Sequence, residues 1–179
     1  MGDPERPRLG HFDFSEALSL TPEGRLARCV REMAARHARS GNADLCDMPP
    51  VPVVGATEEE LTALEQELGV PLPAEYRAFL SRWRYLGVGP GLAVWGLDHE
   101  GLSTGRPCLS TDHPVPGRFL VFGECWRFAD GDQLLFPLDV SSHPVVLYLH
   151  EERPPRAEPF APSFSLAVWR LVFEDAEGA

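Results

Sequence analysis

The chain has 179 residues, of which 44% are hydrophobic and 24% charged, an ordinary balance for a soluble globular protein with room for one domain and an extension. All 16 basic residues are arginine and stand against 27 acidic ones, for a net charge of -11; a body of that sign repels nucleic acid and anionic lipid and attracts basic partners. No apolar run reaches the roughly 18 residues a bilayer span requires, and the opening MGDPERPRLGHFDF has no apolar leader core, so the expected compartment is the cytoplasm.

The charge is uneven. Residues 1–50 carry 7 arginines against 8 carboxylates, and residues 51–179 carry 9 against 19. The first 20 residues show no clear period. A helix is predicted from Thr21, with Thr21 as cap, Pro22 in the first turn and Glu23 at the positive end of the dipole. Leu26, Val30, Met33 and His37 fall on one stripe, Arg25, Arg28, Arg31, Arg36 and Arg39 decorate the rest, and Gly41 ends it. The proline-rich CDMPPVPVVG that follows is stiff and extended. It separates an N-terminal extension (1–50) from a main domain (51–175) and a short tail (176–179).

The next two helices meet at a corner. Thr57 and Glu60 form a capping box, and Leu61, Leu64 and Leu68 share a face. Gly69 takes the C-terminal turn, Pro71 prevents resumption, and Pro73 opens a second helix, where its missing N–H costs nothing. Tyr76, Phe79, Leu80 and Trp83 give that helix one apolar face. Beyond the glycine-rich GVGPG the pattern turns to strands at 92–97, 118–123, 125–128, 133–138 and 144–150, with 98–117 as a long loop. Asp130-Gly131 is the hairpin signal, and Pro137 suits a strand end. After the proline-rich ERPPRAEPFAP, Ser163 caps a last helix striped by Phe164, Ala167, Val168 and Leu171. Helices first, successive strands next and one closing helix make the fold class α+β, with an antiparallel or mixed sheet of about five to six strands and an extra N-terminal helix.

The stretch TEEELTALEQELGVPLPAEYRAFLSRW resembles the opening of the SUKH superfamily, whose pattern is a Glu-rich helix followed by LG-x-x-LP-x-x-Y-x-x-FL. The matching positions are Leu68, Gly69, Leu72, Pro73, Tyr76, Phe79 and Leu80. FLVFGECWRFADGDQLLFPLD resembles the next block, with Gly131 and Asp132 at the hairpin corner. PVVLYLHEE is similar to the following strand, and FAPSFSLAVWRLV to the final helix with its Ser163-Phe164 pair. The likeness covers residues 56–173. One departure is RYLGVGPG, where the superfamily usually places Asn-Gly. The superfamily includes a yeast regulator of cell-wall synthesis and many bacterial immunity proteins of polymorphic toxins. The resemblance implies a SUKH-like fold, no catalysis and a protein partner.

No strong catalytic motif competes. There is no G-x-G-x-x-G, Walker A, G-x-S-x-G or H-E-x-x-H sequence. Cys108, Asp112 and His113 are the nearest approach to a metal or nucleophile cluster, but they lack a second ligand pair. The four cysteines, Cys29, Cys46, Cys108 and Cys125, read as free thiols, mostly packed. Asp130, Asp132 and Asp139 surround one hairpin, and turn chemistry accounts for Asp130 and Gly131 without an ion. Neither cofactor nor metal is expected.

The leading expectation is an intracellular protein-binding domain of the immunity type that neutralises a basic, nuclease-like toxin by charge complementarity. The residues expected to carry contact are Glu124, Trp126, Asp130, Asp132, Asp139, Glu151 and Glu152. A regulatory scaffold without a toxin partner is the alternative within binding, and an enzyme built around Cys108, Asp112 and His113 is the alternative outside it. Nucleic acid and membrane are not expected partners.

Overall fold

The computed structural model describes residues 11–40, 54–89, 91–98, 105–110, 115–126 and 129–174. Along the chain run α1 (Ser15–Leu18), α2 (Pro22–Ser40), α3 (Glu58–Leu68), α4 (Ala74–Trp83), β1 (Leu86–Gly89), β2 (Leu92–Val94), β3 (Cys108–Ser110), β4 (Phe119–Cys125), β5 (Gln133–Pro137), β6 (Val145–Leu149), β7 (Arg156–Ala161) and α5 (Phe164–Phe173). The strands form one antiparallel sheet in the order β1-β2-β4-β5-β6-β7, with β3 also paired to β4. The architecture is α+β, as expected, with seven strands among the described residues where about five to six were expected.

The corner between α3 and α4 forms as its residues dictate. Thr57 accepts from the Glu60 amide, and the Glu60 carboxylate accepts from the Thr57 amide at 2.8 Å. Gly69 adopts the left-handed conformation at φ 67°, which a side-chain-bearing residue reaches only at a cost. Pro73 stands at the N-cap of α4, one place before the first helical residue. Glu65 reaches across the turn and accepts from the Leu72 amide at 2.9 Å. Arg77 of α4 pairs with Glu58 and Glu65 of α3, which fixes the angle between the two helices.

Tyr76, Phe79, Phe122, Phe136 and Phe164 build the centre of the core from α4, β4, β5 and α5. Phe122 and Phe136 stack with centroids 4.1 Å apart, and Phe164 touches all four of the others. The Tyr76 hydroxyl, buried in this cluster, donates to the Trp95 carbonyl at 2.7 Å. Its partner is needed, because an unpaired hydroxyl there would cost about 1–3 kcal/mol. Leu68, Leu72 and Leu80 complete the wall. On the other face of the sheet, Phe119, Val121, Leu135 and Tyr148 form a smaller cluster with Trp95, Val115 and Val146 against it.

Several expectations are corrected by tertiary packing. Arg25 is 8% exposed, because α2 lies along α5. Its guanidinium donates to the Ala17 carbonyl at 2.8 Å and to the Ser165 hydroxyl at 3.0 Å. His37, placed on the apolar stripe by its spacing, is exposed. Ala17, Leu26, Cys29 and Met33 of the N-terminal helices belong to the same core as α3, α4 and α5. The boundary near residue 50 falls outside the described residues. The break expected between 118–123 and 125–128 does not fall at residue 124: β4 runs continuously from Phe119 to Cys125 with a register shift opposite β5 between Val121 and Gly123, and residues 127–128 lie outside the described residues. Such a shift lets one strand bend without ending. Ser163 makes no side-chain cap. Instead, the Glu75 carboxylate of α4 accepts from the Ser165 amide at 2.8 Å and serves the start of α5.

Candidate protein-binding surface

The sheet register sorts the expected contact residues by position. Leu92 lies opposite Cys125, Gln133 opposite Glu124 and Tyr148, and Tyr148 opposite Ala157. One end of the sheet therefore gathers the β1–β2 turn, the β4–β5 hairpin and the β6–β7 connection. Glu124, Trp126, Asp130, Asp132, Glu151 and Glu152 all belong to that end. Asp139 does not. It follows β5 at the opposite end, where its carboxylate accepts from the Arg118 amide at 3.5 Å, and so lies apart from the hairpin.

Among the described residues Trp126 is the exposed aromatic of this end, at 45% of its surface. Cys125 beside it is buried in the core, so period-two alternation puts Glu124 and Trp126 together on the opposite face. The Trp126 amide donates to the Gly91 carbonyl at 2.8 Å. A Cβ on Gly91 would meet the indole at 2.6 Å, and Gly91 itself has φ 66°. The Trp126 side chain thus packs against the bare backbone at Gly91, in space that a side chain there would fill. The sequence reading missed Gly91, although the glycine run around it was the available signal.

Glu124 is half-buried. Burial, with the neighbouring charge of Asp130 adding, holds its carboxyl above the ordinary value. Asp130 is exposed at the hairpin tip. Asp132, one of the residues expected at the surface, is only 1% exposed. Its Oδ1 accepts from the His150 amide at 3.1 Å and lies 3.3 Å from the His150 ring, while its Oδ2 has no partner. Burial pushes this carboxyl up as well. Asp132 therefore ties the hairpin to the end of β6 and is not a contact residue. Gly131 lets this happen, because a Cβ there would press on the His150 ring at 3.1 Å with the backbone at φ 96°.

Glu151 is exposed and Glu152 half-buried. Glu152 lies 3.8 Å from Arg156, which also pairs with Glu158 at 2.8 Å. Arg153 turns back onto the carbonyls of His150, Glu151 and Glu152. The β6–β7 connection thus carries both signs and is less acidic than its sequence suggested. The hairpin from residue 124 to 132 is more one-sided, with Glu124, Asp130 and Asp132 against Arg127; Arg127 lies outside the described residues.

The other candidates gain little. Cys108 is exposed on β3, with its thiol pushed up by partial burial, which disfavours the reactive thiolate. Asp112 and His113 lie outside the described residues. Among the described residues no group of three or more metal-ligating side chains converges, and no helix is long and apolar enough to cross a membrane. A cleft of about 190 Å³ lies at the opposite end of the sheet, between Pro73, Glu75, Phe136, Ser142, His143 and Phe164. Its carboxylate, Glu75, is already committed to the start of α5.

The residues of the helix-corner pattern are thus internal: Leu68, Leu72, Tyr76, Phe79 and Leu80 are buried, as is Pro73, and Gly69 shapes the turn. Phe164 fills the aromatic centre, and Ser163 precedes α5. These residues hold the fold. The sequence pattern of the SMI1 / KNR4 family (SUKH-1) matches residues 55–166. No curated protein and no solved structure matches the chain. The match spans α3 to the start of α5, including the corner, the whole sheet and the hairpin, and the chain belongs to the SMI1 / KNR4 family (SUKH-1).

Proposed function

We propose that this protein is a non-catalytic binding domain of the immunity type, which neutralises a basic toxin by covering it with the hairpin end of the sheet. The observation that carries the reading is Trp126, an exposed indole packed against Gly91 at the end of the sheet that also carries Glu124 and Asp130. Aromatic residues held rigidly at a surface are the usual anchors of protein interfaces, because little conformational freedom is lost when they are covered. The net charge of -11 supports a basic partner, since opposite charge accelerates encounter. The family resemblance supplies the toxin, and the acidic surface supplies its sign.

The reaction with such a partner is occlusion. Carboxylates at the hairpin would occupy the positions that nucleic-acid phosphates take on a nuclease, and the indole would exclude water from the contact. The test is capture of partners by the tagged full chain from its own host, at low and high salt. Stoichiometric recovery of a basic protein, released at high salt and inhibited when bound, is the expected result. A folded bait that recovers no such protein would overturn the reading.

A further inference from the structure

Three of the chain's tryptophans can be compared. Arg28 lies over the Trp169 ring at 5.1 Å, and the same guanidinium pairs with Glu16 at 2.6 Å. Arg82 lies over the Trp83 ring at 4.9 Å and pairs with Glu23. In both, one guanidinium is sandwiched between an indole face and a carboxylate. Trp126 offers the other two parts of this arrangement: an indole that is 45% exposed and, two residues earlier near the end of β4, the half-buried carboxylate of Glu124. Among the described residues no guanidinium lies over it.

We infer that Trp126 and Glu124 form a receptor for a single arginine side chain of the protein partner, the third member of the sandwich that this fold completes internally at Trp169 and Trp83. The inference rests on the proposed function and names the chemistry of its contact. Arginine fits better than lysine, because the planar guanidinium stacks on the indole while its edge N–H groups meet a carboxylate. The seat on Gly91 keeps the ring in place before the partner arrives, so the face is preorganised. Asp130 lies close enough to Glu124 to raise its carboxyl, together with burial. A cation placed there would relieve that repulsion, and the Glu124 carboxyl would fall toward its ordinary range on binding.

The full chain can be titrated at low salt with the peptide Gly-Arg-Gly-Arg-Gly and with its lysine counterpart. The indole N–H resonance of Trp126, assigned by its loss in Trp126→Phe, and the side-chain carboxyl carbon of Glu124 report the contact. Arg127→Ala is titrated in parallel, because Arg127 follows Trp126 directly in the sequence. The expected result is a saturable shift of the Trp126 resonance with a lowered Glu124 titration. Binding should weaken about fivefold with the lysine peptide and about tenfold in Glu124→Gln at unchanged thermal midpoint. A Trp126 resonance that stays still in both the wild type and Arg127→Ala would overturn the inference. Equal shifts with Glu124→Gln, or with lysine in place of arginine, would also overturn it. Recovery of the same basic partner by Trp126→Ala, with its loss from the charge reversal of Glu124 and Asp130, would overturn this inference and leave the hairpin end of the sheet as the binding surface. An arginine-specific response with no partner recovered would do the reverse.

Discussion

The aromatic cluster around Tyr76 and the hairpin around Trp126 share the strand pair β4 and β5 and are built in opposite ways. In the cluster, Tyr76, Phe79, Phe122, Phe136 and Phe164 are at most 2% exposed and come from four elements. Every polar atom that matters there, such as the Tyr76 hydroxyl, has its partner inside the chain. At the hairpin the aromatic ring is half in solvent, and the nearby Glu124 and Asp130 carboxylates repel one another. The first arrangement is complete without a ligand. The second is ordered yet unfinished, which is the condition of a surface that gains by being covered. Most of the residues that reveal the family, among them Leu68, Leu72, Tyr76, Phe79, Leu80 and Phe164, are buried in or around the first region, so the pattern that names the fold says little about the partner.

The contrast can be broken most severely at the cluster. Phe136→Ala removes a fully buried ring stacked on Phe122 and should cost about 3–5 kcal/mol, read from denaturant unfolding. A loss comparable to that of a surface substitution would show that the cluster does not hold the fold. Arg25→Ala comes next, at about 2 kcal/mol, because buried hydrogen bonds to the Ala17 carbonyl and Ser165 hydroxyl are lost. The same experiment tests whether α2 unfolds with the rest. A separate low-temperature transition would contradict a shared core.

A smaller effect distinguishes the buried acid of the hairpin from the exposed ones. The folded Asp132 carboxyl is raised above its ordinary value of 3.8 by burial, so the native state holds its proton more tightly than the unfolded chain does. Its contribution is most favourable below that ordinary value and is lost as pH rises through the folded value. Asp132→Asn should remove this slope, so that the stability difference between variant and wild type shifts in the variant's favour as pH rises from strongly acidic to neutral. Denaturation midpoints across that range check the sign, and a flat difference would contradict the burial argument. The smallest effect on stability is expected for Trp126→Ala, under about 1 kcal/mol, because nearly half of the ring is already in water. Its effect on partner binding should be far larger, which is the signature of a contact residue.

What was legible in the sequence was what local chemistry decides. The capping box at Thr57 and Glu60, the turn at Gly69 and the hairpin at Asp130-Gly131 each need only neighbouring residues, and each formed. Strands β1, β3 and β7 were missed because each takes its shape from the strand it pairs with and not from a pattern of its own. β3 is three residues long and takes its shape from β4. β7 contains Pro159, and an edge strand tolerates the missing N–H that an inner strand does not. At the candidate site, alternation around Cys125 was enough to place Trp126 outward. The burial of Asp132 depends on His150, 18 residues away, and the separation of Asp139 depends on which end of β5 it follows. Neither is written in the local pattern. Nor is the burial of Arg25, which needs α5 alongside.

The central claim is that the hairpin end of the sheet binds the partner. The most direct measurement compares quantitative capture from host lysate by the wild type, by Trp126→Ala, and by a double charge reversal at Glu124 and Asp130, each verified as folded by its thermal midpoint. The account expects one basic protein, lost from the wild type at high salt and depleted at least tenfold in both variants. Equal recovery of that protein by all three baits would contradict it and move the interface elsewhere on the domain.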